Sequence, residues 1–257
     1  MSTPAELLPA LFQRQALWRG AAPAAQGPAA CSTGFAALDA QLPGGGWPAG
    51  GLVDLFCQSE GVGELQVVLP ALASLTASGR RVAWLAPPHL PYAPALRAAG
   101  VRLEHLTVIR APGRRDALWA AEQALRSGAF HALLAWLPRS DYTELRRLAV
   151  AAQSSPGFAA LFRPPQAAGE SSPAALQLSL EPVPAVPDPE AVTAGRLAVR
   201  ILKRRGAPLA EPVRLPIRSP VASFPAASSR EARAHALGRT PFPAAAPAGV
   251  GARACAA

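Results

Sequence analysis

Residues 56–66 read FCQSEGVGELQ, and they sit where a phosphate would be held. Gly61 and Gly63 separate an apolar run, Leu52–Cys57, from a stretch in which Leu65, Val68, Leu69 and Leu72 recur at helical spacing. A glycine loop between a strand and a helix suits an anion, because its backbone N–H groups and the helix N-terminus converge there. Chemistry on a polyphosphate also needs a lysine for the β/γ oxygens and a Ser/Thr hydroxyl for Mg²⁺. Here Glu64 and Leu65 follow the second glycine, and neither can do that work. A carboxylate about 4 Å from a phosphate charge repels it by roughly 1–4 kcal/mol, depending on the local dielectric. The loop has the outline of a phosphate site without its reactive side chains.

Other chemistry is thin. Cys31, Cys57 and Cys255 are odd in number and far apart, which argues against a disulfide framework or a zinc site. His89, His105, His131 and His235 are isolated, so no metal is expected. The net charge of +9 is uneven: residues 194–257 hold 11 Lys+Arg against Glu211 and Glu231, and residues 1–193 balance. A basic C-terminal part could attract nucleic acid or an acidic partner. No apolar run reaches the roughly 18 residues that a membrane span needs. The N-terminus has no basic region ahead of an apolar core, so no signal peptide is expected and the reading is cytoplasmic.

The elements that would carry the loop follow from periodicity. Residues 5–19 place Leu7, Leu8, Leu11, Phe12 and Trp18 on one side of a helix, followed by an Ala/Pro/Gly linker through residue 31. Strands are expected at Leu52–Cys57, Arg81–Ala86, Leu106–Arg110, Ala132–Leu137 and Phe158–Phe162. Helices are expected between them at Glu64–Ser78, Ala93–Ala99, Arg115–Arg126 and Tyr142–Gln153, the last capped by Asp141. Apolar strands alternating with amphipathic helices imply an α/β fold with a parallel sheet covered on both faces. Leu176–Leu180, Arg196–Arg204 and Pro212–Ile217 then read as further strands, and residues 218–257 as a disordered Ala/Pro-rich basic tail.

Several segments together resemble the RecA recombinase family. Ser32-Thr33-Gly34-Phe35 with Leu38-Asp39, the Gly44-Gly45-Gly46…Pro48…Gly50 turn and the helix–strand–helix–strand run of residues 95–137 carry that likeness. It covers residues 32–217 and implies a RecA-like P-loop-type core with a mostly parallel sheet and a degenerate nucleotide site. In that alignment Gln58 replaces the first loop glycine, Glu64 the lysine and Leu65 the Ser/Thr. Trp136 stands near the metal-organising aspartate, and Ala86-Pro87-Pro88-His89 where a catalytic glutamate is kept. No catalytic residue, cofactor or ATPase activity is therefore expected.

Leu17-Trp18-Arg19-Gly20, Gly61-Val62-Gly63-Glu64-Leu65 and Arg196–Gly206 resemble more closely the translesion-synthesis-associated ImuA family. That resemblance implies a non-catalytic SOS accessory protein, nucleoid-associated when engaged. Its partners would be an ImuB-type inert Y-family polymerase relative, RecA and an error-prone DnaE-type polymerase. Leu8, Leu11, Phe12 and Trp18 would be the partner anchors. Arg196, Arg200, Lys203, Arg204 and Arg205 would be a weak DNA or partner contact. The SulA-type inhibitors of cell division share the degenerate loop, are usually shorter and imply a tubulin-like target. That alternative stays open, as do a divergent ATPase and a DNA-binding protein.

Overall fold

A computed structural model describes residues 30–58, 61, 63–183, 194–206, 209 and 211–218. It opens on a two-residue ribbon, β1 (Ala30–Cys31) paired antiparallel with β2 (Trp47–Pro48), around the short helix α1 (Ala36–Asp39). The Ser-Thr-Gly-Phe…Asp pattern is a local hydrogen-bond device. The Asp39 carboxylate accepts from the Thr33 N–H at 2.8 Å and the Ser32 hydroxyl at 2.6 Å. Gly34 turns at φ +85° with Pro70 so close that a Cβ would lie 2.4 Å from it. Only glycine meets both demands.

The main sheet has eight strands in the order β10-β9-β8-β3-β7-β6-β4-β5. β3 (Leu52–Cys57), β4 (Val82–Leu85), β5 (Leu106–Ile109), β6 (Ala132–Trp136), β7 (Phe158–Arg163) and β8 (Leu176–Val183) pair in parallel. β9 (Ala194–Lys203) then runs antiparallel to β8, and β10 (Val213–Arg218) antiparallel to β9. Helices α2 (Leu69–Ala77) and α3 (Ala93–Ala98) cover one face, packing Leu72, Leu75 and Leu96 on Val53, Leu55 and Trp84. α4 (Arg114–Arg126) and α5 (Tyr142–Ala152) cover the other, packing Ala121, Leu125, Leu145 and Leu148 on Leu133 and Leu161. Each such leucine removed from water contributes about 1.5–3 kcal/mol. α5 begins where the sequence placed it, with a capping box in which Asp141 accepts from the Glu144 N–H at 2.9 Å and Glu144 answers in return.

Two expectations need correction. The helix expected over Glu64–Ser78 is broken: Glu64–Val67 is a single 3₁₀ turn and the α-helix starts at Leu69. Pro70, in its first turn, has no N–H to continue an earlier helix and is at home only near a start. The RecA-like P-loop-type core is also overturned. The sheet is mixed, with β9 and β10 antiparallel beside the parallel strands, and the glycine loop feeds a 3₁₀ turn instead of aiming a helix N-terminus at an anion. Among the described residues no helix is long and apolar enough to cross a membrane. The domain readings 1–31 and 218–257 lie almost wholly outside the described residues.

Candidate functional site

β3 delivers the chain to the glycine loop at the C-terminal end of the sheet. Gly61 and Gly63 take φ of +80° and +97°, left-handed conformations that glycine adopts without a steric penalty. The loop is occupied by its own side chain. Glu64 accepts the Gly61 N–H through Oε1 at 3.2 Å, so the carboxylate sits where an anion would have to. Its Oε2 is buried with no hydrogen-bond partner among the described residues. Gln58 is exposed, and Leu65 is half-buried against the core that β3 and α2 share. Burial, then the Glu64 charge, push the Cys57 thiol up to about 12, so it stays protonated at neutral pH and is no nucleophile.

The neighbouring strand ends are built from aromatic rings. Trp136 closes β6, stacks on Phe162 at 4.6 Å between centroids and stands 5.7 Å from Trp84 in a tilted pair. Such pairs contribute about 0.5–1.5 kcal/mol beyond area burial. Ala86, after β4, holds φ of +48° and is locked by its N–H on the Ile109 carbonyl at 2.9 Å. The following Pro-Pro-His-Leu-Pro-Tyr loop stands up from the sheet, with Leu90 74% and Tyr92 63% exposed. Between that loop, α2 and the glycine turn lies a cavity of about 840 Å³ whose lining includes Leu65, Leu69, Trp84, Tyr92 and Trp136. Its size matches a small-molecule pocket, but its walls are mostly apolar, with Glu64, Gln66 and His89 as polar members, and no cluster of metal-ligating side chains occurs among the described residues.

The basic residues are scattered by their contacts. Arg200 faces Glu181 at 3.6 Å, the Lys203 ammonium donates to the Ser172 carbonyl at 2.8 Å, and Arg204 donates to the Gln41 carbonyl. Arg205 is exposed, and Arg196 is described in its backbone alone. Three of the five side chains expected to meet DNA are thus tied to their own chain. Leu8, Leu11, Phe12 and Trp18 lie outside the described residues.

Sequence reasoning passed over a charge cluster under the sheet. Arg163, 3% exposed, meets Asp54 at 3.6 Å and Glu170 at 2.8 Å, and its guanidinium lies over the Phe56 ring. Gln177 donates to Asp54 at 3.1 Å. The signal was present: Asp54 is the one charge in LVDLFC, and Arg163 ends the adjacent strand.

An α/β protein with a mixed sheet, and a glycine loop filled by its own carboxylate, is the class this geometry defines. The family model for the cell division inhibitor SulA matches residues 51–159, from just before β3 into β7. The cell division inhibitor SulA of Edwardsiella piscicida is 33% identical over 114 residues, 42% of this chain and 68% of that protein. That of Yersinia pestis (strain Pestoides F) is 28% identical over 115 residues, 44% of this chain and 68% of its own. The crystal structure of SulA from Pseudomonas aeruginosa matches at 27% identity and a TM-score of 0.38, covering 45% of this chain and 98% of that one. The chain belongs to the SulA family. The resemblance to a RecA-like core is corrected accordingly, and the family shown is the one that stood as the shorter alternative.

Proposed function

We propose that this protein is a DNA-damage-induced inhibitor of cell division that acts by protein contact, without catalysis, on a tubulin-like division protein. The carrying observation is the 33% identity to a cell division inhibitor across 68% of that inhibitor's length. The site's geometry supports contact over chemistry: Glu64 takes up a backbone donor that a phosphate would need, Cys57 is held protonated, and aromatic rings fill the neighbouring strand ends. What remains on offer is shaped apolar surface, and buried aromatic and aliphatic anchors dominate interface energetics.

A second reading keeps an accessory role in mutagenic translesion synthesis, with an ImuB-type polymerase relative and RecA as partners. One observation favours it. The family match stops at residue 159, yet the same sheet continues through β8, β9 and β10, and Arg196–Gly206 forms most of β9 and the turn after it. Expression in undamaged cells separates the readings, with cell length and co-purifying proteins as readouts. Filaments several cell lengths long, with a division protein on the bait, are the expected result. Cells of normal length with RecA and a Y-family polymerase relative on the bait would replace the first reading by the second.

A further inference from the structure

Helices α4 and α5 lie side by side on one face of the sheet and are joined by a buried carboxylate. Glu122 of α4 is buried and holds two guanidinium groups, Arg126 of its own helix at 2.7 Å and Arg147 of α5. Both arginine side chains are more than half exposed. A guanidinium carries five N–H donors and a carboxylate oxygen takes few of them, so each head keeps donors toward solvent. Two large apolar groups flank this bridge. Trp119 stands one turn before Glu122 and is 63% exposed, and Val150 stands one turn after Arg147 and is 55% exposed. At about 100° per residue, Arg115 and Trp119 share the α5 side of α4 with Glu122 and Arg126. Asp116, the exposed acid of that helix, falls on the opposite flank. Arg115 and Arg146 are exposed and have no ion-pair partner among the described residues.

We propose that the seam between α4 and α5 is a docking surface for an acidic amphipathic helix of a partner protein. The partner's carboxylates meet Arg115, Arg126, Arg146 and Arg147, and its apolar side chains cover Trp119 and Val150. Charge selects this occupant. Four arginines stand against the single carboxylate of Glu122, so the seam carries excess positive charge and repels a second copy of itself. Guanidinium groups accept carboxylates in a two-pronged grip, and Trp and Arg are the side chains that most often dominate interface energetics. A helix laid along a seam between two others presents both kinds of group at once, from its polar and apolar sides. Nucleic acid suits the surface less well, because Val150 offers neither a ring for a base to stack on nor a charge for a phosphate. The surface lies outside the glycine loop and the cavity, and the proposal does not rest on the division-inhibitor reading.

The test titrates the full-length protein into a fluorescent peptide of about 15 residues, with glutamate along one side of a helix and leucine along the other. Anisotropy reads the binding. The expected result is saturable binding that weakens about tenfold as salt rises from about 50 to about 300 mM. The same peptide with lysine in place of glutamate should bind at least about tenfold more weakly. Trp119→Ala and, separately, Arg115→Glu/Arg146→Glu should each lower affinity at least about tenfold. All three side chains are exposed, so the melting transition of these variants should stay with that of the parent. No saturation below about 1 mM, equal binding of the lysine peptide, or an affinity unchanged in Trp119→Ala would each overturn the proposal. A single-stranded oligothymidylate that displaces the peptide and binds more tightly, with loss in the same variants, would overturn it in favour of nucleic acid.

Discussion

The two halves of the sheet are held by different means. From β4 to β3 the strands are parallel and buried on both faces, so nearly every side chain is apolar and the few charges are trapped among them, whereas β5 at the edge is half-buried to exposed. From β8 to β10 the ladder turns antiparallel, and Leu197, Val199, Ile201 and Leu215 supply one packed side. The other side of that extension meets solvent, and its charges reach sideways to carbonyls and carboxylates such as Ser172, Gln41 and Glu181. Most of the parallel half falls within the SulA match, and β9 and β10 fall outside it. A fully enclosed sheet tolerates few changes of volume and no charge left unpaired. An extension with one wet side tolerates many, and is the half in which relatives can differ without losing the fold.

The sharpest way to break the contrast is Gly157→Ala. A Cβ there would lie 1.7 Å from the His131 carbonyl oxygen, at the point where Phe158 joins β6 through that same carbonyl. The obstacle is backbone, so nothing flexible can yield. The loss should exceed about 4 kcal/mol, in the exceptional class for single substitutions, and appear as insoluble or non-cooperatively melting protein. A variant that melts within a few degrees of the parent would show that β6 and β7 part more easily than the packing implies.

Next is the buried pair. Asp54 is fully buried and Arg163 nearly so, and Asp54 Oδ1, Arg163 Nε and Arg163 Nη1 have no hydrogen-bond partner among the described residues. Arg163→Met strands the Asp54 charge with Gln177 as its remaining contact and should cost about 3 kcal/mol. Asp54→Leu with Arg163→Met removes both charges and should return to within about 1 kcal/mol of the parent. Denaturant melts of the cycle measure both values. Additive losses would mean that the two charges do not act as a pair.

How far the sequence exposed this architecture depends on what each element answers to. Leu52–Cys57 was legible to the residue because a short, largely apolar run after two glycines has one economical use, and α5 was legible from Asp141 because a cap is local chemistry. Strand boundaries elsewhere moved by one to three residues, as ladder pairing rather than propensity ends a strand. The helix over Glu64–Ser78 was misread because Leu65, Val68, Leu69 and Leu72 keep helical spacing across a turn that Pro70 interrupts. The RecA-like core was misread because the order of elements is shared more widely than the loop that would define it. Glu64 was read as hostile to phosphate from its type alone, and its bond to the Gly61 N–H depends on loop geometry that spacing does not contain. The cavity and the Asp54–Arg163 pair depend on strand order, which brings β3 beside β7 across more than a hundred residues.

The smallest expected effect lies in the extension, and there the contrast is tested from its tolerant side. Lys203 and Arg204 each donate to a backbone carbonyl, but both heads are near water, where such contacts contribute at most about 1 kcal/mol. Lys203→Ala and Arg204→Ala should each lower stability by about 0.5–1 kcal/mol, with independent effects, since the acceptors Ser172 and Gln41 belong to different segments. Chemical denaturation of the two single variants and the double variant measures this. A double loss above about 3 kcal/mol would mean that these cations anchor the end of β9 to the segment before β8 and to the α1 region as firmly as apolar burial anchors the parallel strands. The extension would then be a second enclosed structure, with Lys203 and Arg204 committed to the fold and not to nucleic acid.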